Sequence, residues 1–314
     1  MTSALPEPLI ECVPNFSEGR DRGLIDDLAR AASSVDGAKV LDVAPDRWHN
    51  RTVLTMVGEP DPLAEAVYHT VVEAARRIDL REHEGEHPRI GAADVVPFVP
   101  LDGLDLDGNR GADIHRCVTL AGRVGRRIAD ELRIPVFLYG EAARRAGRDV
   151  PASFRKGGFE TLRETIESDP DRKPDFGPPR VHRSAGATAV GARRILVAYN
   201  VILDTGDVQV ARRIARAIRS SDGGLPHVQA LGFEVDGRAQ VSTNLLKVRS
   251  VPPLEVFEAV QREAEGEGVE VTGSEIVGLA PEAALPGDAR ESLMLDCDPA
   301  EKSLERRIRE AYRG

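Results

Sequence analysis

The stretch Arg81-Glu82-His83-Glu84-Gly85-Glu86-His87-Pro88-Arg89-Ile90-Gly91 gathers two histidines, three glutamates and two arginines beside two glycines. Histidine titrates near neutral pH and can both take and give protons, so the stretch has the makings of acid–base catalysis. It also contains His83-Glu84-Gly85-Glu86-His87, which fits H-E-x-x-H: two zinc-binding histidines one helical turn apart, with a catalytic Glu between them. The two chemistries need different backbones. A zinc pair needs a continuous helix, so that residues i and i+4 project from one face. Gly85 weakens such a helix by roughly 1 kcal/mol relative to Ala. Pro88 pushes His87 out of the α region. The helical pattern before the motif stops near Asp79-Leu80. The stretch from His83 to Pro88 is therefore expected as a loop, with no metal. Exposed loop histidines without a role are the bland alternative. Against that stand the density of ionisable groups and the strand that follows at once, which can aim them.

Other stretches carry polar groups at telling places. In "ECVPNFSEGRD" (11–21), Asn15, Ser17 and Gly19 form a turn into a helix whose first amides could receive an anion; an ordinary capped turn is equally good. In "LDVAPDRWHNRTV" (41–53), Asp46, His49, Asn50 and Arg51 cluster with the only tryptophan, Trp48. A plain Asp- and Asn-rich hairpin connection competes with a site there. The segment "DPDRKPDFGPPRVHRSAGATAVGA" (169–192) mixes Arg180, His182 and Arg183 with glycines, and is either a linker or a ligand loop. In "QVSTNLL" (240–246), Gln240, Ser242 and Asn244 share one face, expected to meet solvent. "GLDLDGNRGADIH" (103–115) lacks the terminal Glu of a calcium loop and reads as a turn. The sequence has no P-loop and no G-x-S-x-G elbow.

The elements that must position these groups follow from periodicity. Strands are expected at 9–14, 38–43, 51–58 and 93–101, and helices at 21–34 and 61–79. The two prolines in 93–101 suggest an edge strand or a strand end. A second series follows: strand 193–203, helix 207–221, strands 227–235 and 239–246 across an Asp236-Gly237 turn, helix 253–266 and strand 268–278. Each series reads β-α-β-β-α-β, the order of a ferredoxin-like unit. Between them lie a helix near 111–132 and a strand at 134–140; a charged helix over 299–314 closes the chain and is expected to pack on the body. The fold class is α/β (α+β): two subdomains, 1–182 and 183–314, each a mixed sheet with helices on one face.

Composition narrows the function classes. The 314 residues are 41% hydrophobic and 30% charged, which is globular, and the net charge of −10 argues against nucleic-acid binding. Three widely spaced cysteines make no disulfide framework. Neither a secretory leader nor an apolar run long enough for a membrane span is visible, so a cytoplasmic protein with no membrane or nucleic-acid partner is expected.

On "ECVPNFSEGRD", "HNRTVLTMVG", "HEGEHPRIGAADVVPFVPL", "IPVFLYGEAA", "PDFGP" and "AQVSTNLL", in this order over about residues 10–285, the sequence resembles the formiminotransferase domain family. The resemblance is to its stand-alone form, without the cyclodeaminase domain to which it is fused in animals. It implies two α/β subdomains, a homodimer, a folate groove, and the glutamate formimidoyltransferase reaction of histidine degradation. In that reaction N-formimino-L-glutamate passes its formimino group to N5 of tetrahydrofolate, a co-substrate. His87, in Gly-Glu-His-Pro-Arg, takes the family's catalytic place. Gly177, Pro178, Pro179, Arg180, Val181, His182, Arg183, Ser184, Ala185 and Gly186 take the folate-contacting places. This chain departs from the family at Ala44, where an Asp is usual and Asp46 or Asp42 could substitute, and at Ala185, where an aromatic can stand. Asn15, Asp46, His49, Arg51, His83 and Arg89 are the candidate substrate contacts: a carboxylate for the cationic amidine, and Arg51 or Arg89 for the glutamate carboxylates. Transfer from N-formylglutamate, and folate binding without catalysis, are the competing expectations.

Overall fold

The computed structural model describes residues 8–85, 88–101 and 113–313, excluding the side chains at 152 and 153. Glu86, His87 and most of the turn expected at 103–115 lie outside the described residues. The described chain divides into two compact units, one running to Arg193 and the other starting at Arg194.

The first unit contains β1 (Ile10–Cys12), β2 (Asn15–Phe16), α1 (Arg22–Ser33), β3 (Ala38–Asp46), β4 (Arg51–Gly58), α2 (Pro60–Arg77) and β5 (Ala93–Pro100). It continues with α3 (Ile114–Leu132), β6 (Val136–Gly140), α4 (Ala152–Arg155), α5 (Gly158–Thr165) and β7 (Thr188–Ala192). The helices begin where the sequence says they should. Asp21 caps α1 by accepting the Leu24 N–H at 3.1 Å, and Leu24, Leu28 and Ala32 turn inward. Leu63, Val67, Val71 and Ala74 form the buried stripe of α2.

The strand expected at 9–14 is broken in two. Both β1 and β2 pair with β4 on one side and β5 on the other, so they are halves of one strand. Pro14 has no N–H to give the ladder. At the break, Val13 N–H donates to the Pro97 carbonyl at 3.2 Å and Leu54 N–H to the Pro14 carbonyl at 3.0 Å. Of the two expectations for the prolines of 93–101, a strand end fits Pro100, the last residue of β5, while the break explains how Pro97 sits in an interior strand rather than an edge. Pro97 lies opposite the interruption, between the pairs Phe98–Cys12 and Val95–Asn15, where no N–H is asked of it.

Beyond β5 the sheet turns parallel, with β7 pairing to β5 and to β6. The segment 183–193 therefore lies with the first unit, because its strand completes that sheet, and the division falls at Arg193 rather than near 182.

In the second unit, β8 (Val197–Leu203), α6 (Val208–Ile218), β9 (Val228–Val235), β10 (Arg238–Leu245), α7 (Pro253–Glu267) and β11 (Val271–Val277) build a sheet of order β11-β8-β10-β9. This sheet is antiparallel throughout rather than mixed. β8 and β9 run the same way, but β10 lies between them and opposes both. The Asp236-Gly237 turn forms as expected, with both residues at positive φ (52° and 72°). Val210, Ile214 and Ile218 of α6 and Val256 and Val260 of α7 join Tyr199 and Val201 in one core. Gln240 differs from expectation: flanked by Ile202 and Phe233 across the ladders, it is buried instead of meeting solvent. After α8 (Ala289–Ser292), the terminal helix α9 (Leu304–Ala311) buries Leu304 and Ile308 on this unit. No described helix is long and apolar enough to cross a membrane.

Candidate active site

Three connections of the first unit converge on one cavity: the β2–α1 turn, the β3–β4 loop and the α2–β5 loop. Phe16, Ser17, His49, Asn50, Arg51, His83, Arg89 and Asp94 line it. The space between them is small, about 190 Å³ including the open solvent at its mouth.

Asn50 ties the three connections together. It is buried and left-handed (φ 48°), a conformation asparagine tolerates. Its Oδ1 accepts the Gly19 N–H at 2.9 Å, and its Nδ2 donates to the Glu84 carbonyl at 2.9 Å. Gly85 is a glycine for a steric reason: a Cβ there would stand 2.4 Å from the His49 carbonyl oxygen. Ser17 closes the floor by donating its hydroxyl to the Gly91 carbonyl at 2.7 Å.

The histidines are held differently. α2 ends at Arg77, and residues 83–85 carry no helix, so the backbone a zinc pair requires is absent there. His83 Nε2 lies 2.9 Å from the Asn50 carbonyl and must carry the proton; its Nδ1 accepts from Arg89 Nε at 2.9 Å. Both nitrogens are committed, and burial holds its pKa below the ordinary 6.5. In His49, Nδ1 lies 2.6 Å from Asp46 Oδ2. Burial pushes the Asp46 carboxyl up, but the His49 ring and the His49 and Trp48 backbone amides outweigh it, and the net pKa is lowered. Asp46 therefore stands as a carboxylate.

The two arginines also separate. Arg89 reaches the Glu160 carboxylate through two nitrogens at 3.0 and 2.9 Å and the His83 carbonyl at 3.0 Å, so its fork is occupied. Arg51 is different. Its Nε is buried with no hydrogen-bond partner among the described residues. Burial, then the neighbouring Arg155, push its pKa down to about 10, against the opposing pull of Asp94 and Asp46. It remains a cation at neutral pH, and a half-buried cation with a buried, unused Nε donor suits an incoming carboxylate.

Asn15 sits just behind the wall. Its Nδ2 donates to the Val13 carbonyl at 2.8 Å, while its buried Oδ1 has no partner among the described residues. Asp42 lies four residues before Asp46 on β3, and Asp46 reaches the His49 ring. His87 lies outside the described residues, but its flanks are fixed: Gly85 against His49, and the Pro88 carbonyl accepting from Arg155.

The segment Gly177–Gly186 starts from an anchor and ends at this loop. Just before it, Asp175 makes a buried pair with Arg148 at 2.6 Å and accepts the Leu138 N–H at 2.8 Å. Phe176 carries the guanidinium groups of Arg126 and Arg144 at 4.4 and 4.7 Å from its ring. Pro179, Arg180 and Arg183 are exposed, while Pro178 and Ser184 are half-buried and Val181 and Ala185 buried. His182 and Gly186 exchange backbone hydrogen bonds, and His182 Nδ1 accepts the Ala185 N–H at 3.0 Å. Gly186 (φ 69°) would place a Cβ 2.1 Å from the Ile90 carbonyl oxygen, so this end packs directly on the strand entry behind the cavity.

Asp94, Arg155 and Glu160 complete the site and were not singled out by sequence reasoning. Asp94 receives the Ile90 N–H at 2.8 Å and pairs with Arg155. A charge inside the apolar run "ADVVPFV" was a usable signal; Arg155 and Glu160 left none.

Comparison with known proteins finds relatives along most of the chain. Residues 9–193 match the formiminotransferase domain, N-terminal subdomain, and residues 198–292 match the formiminotransferase domain. A glutamate formimidoyltransferase of Thermoplasma acidophilum is 44% identical over 96% of this chain and 98% of its own length. One from Streptococcus pyogenes serotype M1 is 43% identical over 88% of this chain and 90% of its own. The formimidoyltransferase-cyclodeaminase of Sus scrofa is 43% identical over 88% of this chain, but only 51% of that protein is covered. The chain belongs to the formiminotransferase domain family.

Proposed function

We propose that this protein is a glutamate formimidoyltransferase, moving the formimino group of N-formimino-L-glutamate to N5 of tetrahydrofolate. The observation that carries the reading is the match, along nearly the whole of both chains, to a protein of that name. The cavity supports it. The donor carries two carboxylates and a cationic amidine. Arg51 offers an unused buried donor for a carboxylate, and Asp46 offers negative charge for the amidine.

In this reading N5 attacks the amidine carbon, a tetrahedral intermediate forms, and glutamate leaves as an amine. His87 exchanges the proton at N5, because an imidazole titrates close to working pH. On either side of it in the chain, Gly85 packs against the His49 backbone and the Pro88 carbonyl accepts from Arg155. His83 and Arg89 are positioning groups: together with Glu160 they fix the loop that carries His87. The segment Gly177–Gly186 is the proposed folate contact, with exposed Arg180 and Arg183 available to its anionic end. The test is transfer by the purified chain from N-formiminoglutamate and from N-formylglutamate, each with saturating tetrahydrofolate. Formimino transfer is expected to dominate. Turnover of the formyl donor alone, or binding of tetrahydrofolate with neither turnover, would overturn the reading.

A further inference from the structure

We propose that Asn15 makes this site select a formimino over a formyl donor, its buried side-chain oxygen accepting a hydrogen bond from the amidine nitrogen that stands where a formyl oxygen would. The proposal deepens the formimino-transfer reading above and rests on it.

Buried polar atoms of folded chains are almost always paired, so a group of unpaired ones marks a place for a ligand. Three side-chain atoms without a hydrogen-bond partner among the described residues lie together on one face of the first unit's sheet: Asn15 Oδ1, Arg51 Nε and Thr55 Oγ1. The strand register gathers them. Asn15 of β2 stands opposite Val53 of β4, and Arg51 and Thr55 lie two residues to either side of Val53. Side chains two apart on a strand share a face. Arg51 and Thr55 therefore flank Asn15 as its diagonal neighbours across the ladder, about 7–8 Å away. Arg51 lines the cavity, and so do Phe16 and Ser17, the two residues after Asn15. The patch thus adjoins the cavity.

The Asn15 amide is held one way round. Its Nδ2 donates to the Val13 carbonyl at 2.8 Å, and a carbonyl only accepts, so the nitrogen stays there and the oxygen points away. The residue is 4% exposed, and what it offers is an acceptor with no donor beside it. The two donors differ at one atom. N-formiminoglutamate ends in a nitrogen that, in the amidinium, only donates. N-formylglutamate ends in an oxygen that only accepts. Against Asn15 Oδ1 the first makes a hydrogen bond. The second sets two acceptors against each other out of water and leaves both unpaired. A site built around a buried polar group rejects an analogue that cannot pair with it far more strongly than an apolar pocket does. Arg51 does not discriminate, because the glutamate carboxylate it is proposed to hold is common to both donors. Anchoring that carboxylate leaves the one-carbon end to meet the acceptor alongside. Asp46, opposite Arg51 in the register, favours the same donor through charge; Asn15 favours it through the direction of a hydrogen bond.

The test is made in the formimino-transfer assay with the full chain and saturating tetrahydrofolate. Its readout is the ratio of the Ki of N-formylglutamate, added as a competitor, to the KM of N-formiminoglutamate. A merely structural role for Asn15 moves both constants together and leaves the ratio where it was. In the wild type the ratio should be at least about 10, the contribution of one buried hydrogen bond. Asn15→Ala should lower it about 10-fold or more. Asn15→Asp keeps an acceptor in place and should hold the ratio at or above the wild-type value. A wild-type ratio near one, an unchanged ratio in Asn15→Ala, or a fall in Asn15→Asp as large as in Asn15→Ala overturns the proposal while wild-type transfer persists. The wild-type ratio decides alone where the variants do not fold. No formimino transfer by the wild type overturns the functional reading and this inference with it.

Discussion

Both units are built on β-α-β-β-α-β, yet they spend their connections differently. In the second unit the first strand, β8, is continuous over seven residues, β9 and β10 are joined by the two-residue Asp236-Gly237 turn, and α7 reaches β11 in three residues through left-handed Gly268. In the first unit the corresponding strand breaks at Val13-Pro14, β3 and β4 are joined through residues 47–50, and α2 reaches β5 only at residue 93. The chemistry sits where the frame is interrupted. Loops on a rigid sheet carry function because the sheet supplies the position and the loop supplies the groups. What makes these loops rigid is their cross-linking by Asn50, Arg89 and Asp94.

The largest effect is expected where that cross-linking is buried and charged. Asp94→Ala removes the carboxylate that Arg155 pairs with and frees the Ile90 N–H, and should cost about 3–5 kcal/mol in chemical denaturation, with transfer activity lost at temperatures where the rest of the chain stays folded. A loss under 1 kcal/mol would mean that the pair does not organise the site.

A sharper comparison uses the two ββ connections. Asn50 and Asp236 both sit at positive φ, 48° and 52°. Alanine should cost about 1 kcal/mol of backbone strain at either. Only Asn50→Ala also loses buried hydrogen bonds to two other loops, worth about 1–3 kcal/mol more. Asp236→Ala should leave kcat untouched, while Asn50→Ala should lower it. Equal behaviour of the two variants would erase the distinction between the units.

The smallest effect concerns pH. Burial holds the pKa of His83, and of His182, below the ordinary 6.5. Below that value the unfolded chain binds protons that the folded chain does not, so this contribution to stability is complete above about pH 6.5 and fades as pH falls toward the folded values. His83→Gln should therefore lose less Tm than wild type between about pH 7.5 and 5.5. A steeper loss in the variant would contradict the fixed neutral tautomer of His83.

Much of this was legible in the sequence, for physical reasons. Long amphipathic helices and the Asp-Gly hairpin are local signals, and α1, α2, α6, α7 and the 236–237 turn stand where periodicity put them. The ionisable clusters at 41–53 and 81–91 marked the cavity, because such groups rarely crowd a strand entry without a use. What could not be read was non-local. The break at Pro14 has meaning only against Pro97, and the parallel addition of β7 only against β5 and β6. Arg155 and Glu160 meet partners 61 and 71 residues away, from short helices with no periodic signature. The fixed tautomer of His83 depends on which oxygen or nitrogen faces each of its ring nitrogens, and spacing does not encode that.

The central claim is that the interrupted connections of the first unit present a histidine for formimino transfer. Its most direct test is the rate of His87→Ala with both N-formiminoglutamate and tetrahydrofolate saturating. A fall of about 10²–10⁴-fold in kcat, with folding and tetrahydrofolate binding retained, is predicted; transfer at the wild-type rate would contradict the account.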